Sequence, residues 1–450
     1  MQKKLEKQRA FFRSGRTIPL AFRKKALKRL GRAIRQHEKE IYAALREDLN
    51  KSKTETFMCE VGMTLAELSY MLKHLEGWAK KKYVRSPLAQ FSATSFTVKE
   101  PYGVALIMSP WNYPFMLTME PLIGAIAAGN CAVVKPSAYA PATSAVIRRI
   151  LRACFPEEYI FVVEGGRAEN QALLDQRFDY IFFTGGVTVG KEVMAKAAKH
   201  LTPVTLELGG KSPCIVDSGA DIAVAARRIA WGKTLNAGQT CVAPDYLLIH
   251  RSLQESFVEK FRDALRELHG DDAQKSPCYV RLVNDHAFER VASYLTQGKI
   301  LIGGRTDPAD RYIEPTLLAD ADPASPVMQE EIFGPVLPML PFDTADEAVA
   351  FVNDREKPLA LYYFGPEKTG YDILRRTSSG GACLNDVVMH IANDNLPFGG
   401  VGNSGMGRYH GRDSFDAFSH RRGVVVAPGR FDLPLRYPPY KGFRWVKKIL

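Results

Sequence analysis

Three residue types set far apart in this chain could together do covalent chemistry on a carbonyl: a cysteine, a carboxylate and a side-chain amide. Cys241 sits in "NAGQTCVAP", three residues after Gly238 and three before Pro244, on an irregular stretch just past a helical pattern. A thiolate attacks a carbonyl when it is accessible, has a base or dipole to lower its pKa, and faces a donor for the oxyanion it creates. Cysteines 59, 131, 154, 214, 278 and 383 read instead as small buried apolar residues, because no CxxC pair or Cys/His spacing suits a structural zinc. Glu207, in "TLELGG", lies within an apolar strand pattern where burial would raise its pKa toward that of a general base; a solvated strand-end glutamate is the alternative. Asn112, in "SPWNYPF", follows an apolar run. Its amide could donate to an oxyanion at the carboxyl end of a strand, or simply form a turn before Tyr113 and Pro114. In "FFTGGVTVGK", Gly185, Gly186 and Gly190 lie between a strand and a helix, where free backbone N–H groups favour a phosphate. The stretch matches neither GxGxxG nor a P-loop, so by itself it points to a nucleotide and no further.

These residues need a scaffold, and the chain supplies two alternating patterns. Short apolar runs at 102–108, 131–135, 159–163 and 179–183 are separated by helical spacing, which argues for βαβ units and a parallel sheet buried on both faces. The alternation resumes after 203–216, with a helix near 220–235, a strand at 246–250, a helix at 253–268 and strands near 336–340 and 361–364. A second α/β domain of comparable size follows, with Gly209-Gly210 as the hinge. Residues 19–50 and 64–82 read as surface helices, while 84–98 and 423–436 are strand-like pieces outside both patterns, suited to an arm that pairs with another subunit.

Composition bounds the function. With 46% hydrophobic and 24% charged residues, the 450-residue chain is typical of a folded globular protein. The odd, unpatterned set of seven cysteines suggests reduced thiols and a cytoplasmic setting, and neither a signal peptide nor a transmembrane segment is expected. The net charge of +12 sits at the two ends: residues 1–50 carry +10 and residues 421–450 carry +7, leaving −5 for the rest. That distribution fits solvated helix faces and a tail, and argues against a nucleic-acid footprint. The ending "RYPPYKGFRWVKKIL" interleaves aromatics with cations, which suits weak peripheral contact with an anionic membrane.

"VTLELGGKSP", with Cys241 of "NAGQTCVAPDYLL" thirty-four residues after Glu207, resembles the paired signatures of the NAD(P)-dependent aldehyde dehydrogenases. "SPWNYPF", "KPS" at 135–137, "EEIFGPVLP" at 330–338 and "LPFGGVGNSGMGRYHG" at 396–411 are similar to further family motifs in the expected order. Length, the short N-terminal part and the tail are most similar to the class-3-type branch, which acts on fatty and aromatic aldehydes. The resemblance implies two Rossmann-like α/β domains with a small β-arm for oligomerisation. The cofactor-binding domain would comprise 1–83 and 99–209 and the catalytic domain 210–395, with a bridging arm at 84–98 and 415–436, a basic tail at 437–450, and a homodimer as the assembly. It implies that Cys241 attacks the aldehyde, Asn112 and the Cys241 N–H hold the oxyanion, and Glu207 activates water. Lys135 would bind the adenosine ribose, Glu331 the nicotinamide ribose with Phe333 beside it, and the glycines at 185, 186 and 190 the pyrophosphate. Tyr113, Leu117 and Trp231 would wall an apolar substrate tunnel; the cofactor would be NAD or NADP, with no metal. Two departures stand out. Ala138 replaces a Glu that in many NAD-preferring relatives repels a 2′-phosphate, so tolerance of NADP is expected, and Gly186 replaces a Ser or Asn. A CoA-acylating dehydrogenase and a catalytically silent scaffold are the rival readings; Glu207 argues against the first, and the joint presence of the five polar site residues against the second.

Overall fold

The computed structural model describes residues 1–430, 436–439, 444 and 447; most of the 437–450 tail lies outside the described residues. Runs such as "VALIM" and "CAVVK" are buried at every position, as strands covered on both faces must be. They belong to a six-stranded sheet ordered Gly405–Met406, Val204–Glu207, Tyr180–Thr184, Val104–Met108, Cys131–Lys135, Ile160–Val162. All its pairings are parallel except that of Gly405–Met406, which runs antiparallel to Val204–Glu207 and sets Gly405 opposite Glu207. Helices cover both faces, among them Met116–Ala128, buried at every residue, and Val187–Ala198.

A seven-stranded sheet forms the second layer system, ordered Lys299–Ile302, Thr316–Ala319, Val336–Phe342, Tyr246–His250, Pro213–Val216, Ala360–Phe364, Gly381–Leu384. Only its edge strand Lys299–Ile302 is antiparallel. Gly209 and Gly210 join the last parallel strand of the first sheet to Pro213–Val216 of the second. A third, three-stranded antiparallel sheet comprises Lys82–Val84, Thr94–Pro101 and Ser419–Val426.

Several elements differ from the sequence reading. The helical run at 19–50 is two helices, Leu20–Gln36 and Glu38–Leu49, each burying its own stripe. The stripe stays in phase across the break through Leu30, Ile34, Ile41 and Leu45, so periodicity alone does not reveal it. The run at 64–82 is a helix Gly62–Trp78 followed by a strand from Lys82. The chain beyond residue 395 returns to the first sheet at Gly405–Met406, because that strand's free edge beside Glu207 needs a hydrogen-bonding partner. Among the described residues, no helix is long and apolar enough to cross a membrane.

Candidate active site

Five of the residues that sequence singles out stand at the carboxyl ends of four adjacent parallel strands. Lys135 closes Cys131–Lys135, Asn112 follows Val104–Met108, Gly185 and Gly186 follow Tyr180–Thr184, and Glu207 closes Val204–Glu207. Carboxyl ends of an open α/β sheet are where ligands bind, because loops splay there and helix N-termini point in. The second sheet presents the opposite end: Cys241 lies in the loop that leads into Tyr246–His250.

That loop is fixed at several points. The helix Ile222–Thr234 ends in a turn where Asn236 and Ala237 both adopt φ of 51°, a left-handed pair that reverses the chain. Asn112 Nδ2 donates to the carbonyl of Gln239 at 3.1 Å, Tyr113 Oη and Thr240 Oγ1 share a hydrogen bond of 2.6 Å, and Tyr362 Oη donates to the carbonyl of Val242 at 2.5 Å. Asn112 is therefore buried and bound to the backbone two residues before the cysteine, while one of its two amide N–H groups remains to donate. Cys241 itself is only partly buried.

Glu207 is 2% exposed, and neither of its carboxylate oxygens has a hydrogen-bond partner. Burial alone pushes its pKa well above the usual carboxylate range. The Cys241 thiol is also pushed up, first by burial and then by the nearby carboxylates of Glu331 and Glu207, against the pull of the Cys241 and Val242 N–H groups. Burial thus disfavours the charged form of both groups, and the Glu207 carboxylate is near enough to the sulfur to act on it electrostatically. A buried carboxyl without a donor is expensive to keep ionised, and such groups occur where a ligand or water will complete them.

Beside the sulfur opens a cavity of about 270 Å³ with an almost wholly apolar wall. Tyr113, Leu117 and Trp231 stand on it, and so do residues the sequence did not mark, among them Met58, Cys59, Met63, Met116, Met389 and Ile391. Methionine and leucine in these helices are indistinguishable from ordinary core by pattern, so no local signal reveals them. Polar groups on it include Thr240, Cys241, Tyr409 and His410. His410 lies 3.3 Å from Glu120; burial opposes a proton on the imidazole, but Glu120, Glu67 and Asp394 outweigh it and raise its pKa.

At the Gly209-Gly210 turn that follows Glu207 in the chain, a cleft of about 620 Å³ is lined by Val187, Gly209, Gly210, Lys211, Glu331 and Asn403, among others. A dinucleotide fits this donor set. Gly186 caps the helix Val187–Ala198 and is open to solvent, with nothing within 4 Å of where a Cβ would stand, so backbone N–H groups face outward. A Cβ at Gly190 would come 2.6 Å from a Leu208 methyl, so a larger residue here would push aside the side chain that packs this helix next to the strand end of Glu207. Oε1 of Glu331 and Oγ1 of Thr184 are buried without partners, as atoms awaiting ribose or phosphate groups would be. Burial and then Asp245 push Glu331 up to about 8, against the N–H of Gly210. Lys211 pairs with Asp245 and donates to the carbonyls of Val327 and Glu330 at 2.8 Å, which anchors the Glu331 loop. Phe333 packs edge-on against Trp111 at 5.3 Å, beside Asn112. Lys135 is buried, donates to the Pro136 carbonyl at 2.9 Å, and has its pKa lowered by burial against the pull of Glu169 and Glu164. Ala138 and Tyr139 beyond it are exposed, which leaves this end of the site open.

The model of the aldehyde dehydrogenase family matches residues 1–424. At 48% identity the chain is similar to the 4,4'-diaponeurosporen-aldehyde dehydrogenase of Staphylococcus aureus, covering 99% of this chain and 98% of that protein. It is equally similar, at 48%, to aldehyde dehydrogenase family 3 member A2 of Rattus norvegicus, covering 98% and 91%, and to the dimeric NADP-preferring aldehyde dehydrogenase of Canis lupus familiaris, covering 97% of each. A solved structure of the substrate-bound state of Staphylococcus aureus AldH superposes with a TM-score of 0.98 at 47% identity, over 99% of this chain and 98% of that one. The chain belongs to the aldehyde dehydrogenase family and is most similar to its class-3 branch. It is an oxidoreductase that acts on aldehydes with a nicotinamide dinucleotide.

Proposed function

We propose that the protein oxidises medium- or long-chain aliphatic or aromatic aldehydes to free carboxylic acids through a thioester on Cys241. The observation that carries this reading is an unpartnered buried carboxylate, Glu207, electrostatically coupled to a cysteine that opens onto an apolar cavity. The Cys241 thiolate, formed when the thiol gives up its proton to solvent, attacks the aldehyde carbon, and the resulting oxyanion takes hydrogen bonds from Asn112 Nδ2 and the Cys241 N–H; one such donor is worth about 10²–10³ in rate. The bound cofactor supplies the acceptor for the hydride whose loss turns the thiohemiacetal into a thioester. Glu207 then takes a proton from water as the water adds to the thioester, and Cys241 leaves as thiolate while the acid departs. Glu331, the Gly185-Gly186 turn and Lys135 would hold the dinucleotide at its nicotinamide ribose, pyrophosphate and adenosine ribose. NADP is accepted alongside NAD, because position 138 carries no carboxylate to repel a 2′-phosphate. The name of the canine relative, NADP-preferring, supports this.

The assembly is a homodimer built through the three-stranded sheet. Tyr83 at 66%, Val425 at 52% and Val426 at 53% exposure give that sheet solvent-facing apolar side chains suited to a partner surface. The protein works in the cytoplasm, with the basic tail in weak contact with anionic membrane.

An aldehyde series from acetaldehyde to hexadecanal, with benzaldehyde, assayed with both cofactors and with or without CoA, tests the reading. Each methylene taken into the cavity should raise kcat/KM about fourfold, the equivalent of ~0.8 kcal/mol, and CoA should be dispensable. Equal rates for acetaldehyde and long chains, or an absolute need for CoA, would reject it.

A further inference from the structure

Behind the loop that carries Asn112 lies an ion pair that none of the chemistry above uses. Lys51 and Glu60 have no side-chain exposure and are bonded at 2.7 Å, and both reach out to the loop. Lys51 Nζ donates to the Asn112 carbonyl at 2.8 Å and stands 4.0 Å from the centre of the Tyr113 ring. The other oxygen of Glu60 accepts the N–H groups of Phe115 and Met116, each at 3.0 Å, where the helix Met116–Ala128 begins. A second anchor comes from the same stretch: Glu55 accepts the N–H of Asn236 at 3.0 Å, and Asn236 Nδ2 bonds the carbonyls of Asn112 and Gln239 at 2.9 and 3.0 Å. Glu60 itself sits in a π-helical turn, Phe57–Val61, a rare insertion in a helix that is frequent at functional sites.

The cost of this arrangement argues for a purpose. Two charges taken fully out of water lose several kcal/mol of hydration each, and a well-packed apolar pair would serve stability at least as well. What an apolar pair would not do is fix the Asn112 carbonyl and the backbone N–H groups of Phe115 and Met116 just after it through directed bonds. A donor displaced by about 1 Å from the developing oxyanion loses much of its effect.

We propose that Lys51 and Glu60 are positioning residues that hold the Asn112 carboxamide in line with the oxyanion formed on Cys241. They touch neither aldehyde nor cofactor and act only through the 112–116 loop. The inference rests on the reading of Asn112 as oxyanion donor, and the experiment separates the two.

Lys51→Met, Glu60→Gln and Asn112→Ala are made singly, and each of the first two is combined with the third. Asn112→Ala alone should lower kcat about 100-fold. Lys51→Met should lower kcat by about 10- to 100-fold while aldehyde KM and the NADH dissociation constant shift less than about threefold. In the Asn112→Ala background the same change should lower kcat less than about threefold, because the donor it positions is gone. Lys51→Arg should recover part of the rate. An equal loss from Lys51→Met in both backgrounds, or a loss carried by NADH binding, would show a merely structural role and overturn the proposal. If Lys51→Met fails to fold, the shape-preserving Glu60→Gln is read in the same two backgrounds by the same criteria. Should Asn112→Ala leave kcat unchanged, the oxyanion reading itself fails and the proposal falls with it.

Discussion

At the scale of single residues, the site is built by withholding partners. Glu207 and the Cys241 thiol both sit above their ordinary pKa values because burial disfavours their charged forms, and because each carboxylate near the sulfur makes a thiolate harder to form. The sign of the pH dependence follows. The reactive forms are the deprotonated ones, so a group whose pKa is raised is idle below that pKa and engaged above it. Steady-state kcat/KM for a fixed aldehyde should rise continuously with pH through neutrality into the alkaline range. A profile flat from pH 6 to 9 would contradict the assignment of these two groups. Glu331 adds a third proton, since burial beside Asp245 holds its pKa at about 8. Its grip on ribose hydroxyls strengthens once it is ionised, so NADH binding, read by fluorescence titration, should tighten as pH rises past about 8.

At the scale of elements, glycine decides how closely the two sheets approach the cofactor cleft. A Cβ at Gly209 would stand 2.0 Å from Oε2 of Glu331, so no larger residue fits without displacing that carboxylate. Gly209→Ala should therefore raise the KM for NAD about tenfold or more by moving the ribose ligand, equivalent to about 1.4 kcal/mol of lost binding. The melting temperature should change little, because the displaced group is the free end of a flexible side chain. An unchanged cofactor KM would separate Glu331 from the cofactor. The glycine pair was legible in sequence because "GG" after an apolar strand is a strong punctuation signal, and most of the parallel strands were legible because apolar residues dominate them, although the short strand Thr316–Ala319 went unread. Gly381–Leu384, only partly buried, carried no such mark. The break at His37 and the return of the chain to pair Gly405 with Glu207 were also hidden, since both depend on tertiary contacts and not on local pattern. Lys51 and Glu60 were invisible for the same reason: read locally, both look like surface charges.

At the scale of the whole molecule, two α/β units with opposite strand ends facing each other leave a cleft beside the Gly209-Gly210 turn and Glu331, and a separate apolar cavity that reaches Cys241. This division explains why charge and polarity could be read from the sequence but the shape of the tunnel could not: Met58 with Met63, Met116 with Leu117, and Met389 come from three separate segments. The three-stranded sheet lies apart from both sites and ends in an exposed edge strand, Ser419–Val426. Paired substitution of Val425→Asp and Val426→Asp should shift sedimentation velocity from dimer to monomer, since burying two carboxylates in an apolar interface costs several kcal/mol. A dimer that persists unchanged would place the contact elsewhere.

The central claim is that sulfur, amide and carboxylate converge on one carbonyl carbon and divide the reaction into acylation and hydrolysis. Rapid mixing of a Glu207→Gln variant with NAD and a long-chain aldehyde, followed by intact-mass and peptide analysis, tests it most directly. The predicted result is a fast release of one NADH per site, then turnover slowed by about 10²–10⁴, with the acyl group found on Cys241. Absence of the burst, or an acyl group on any other residue, would contradict the account.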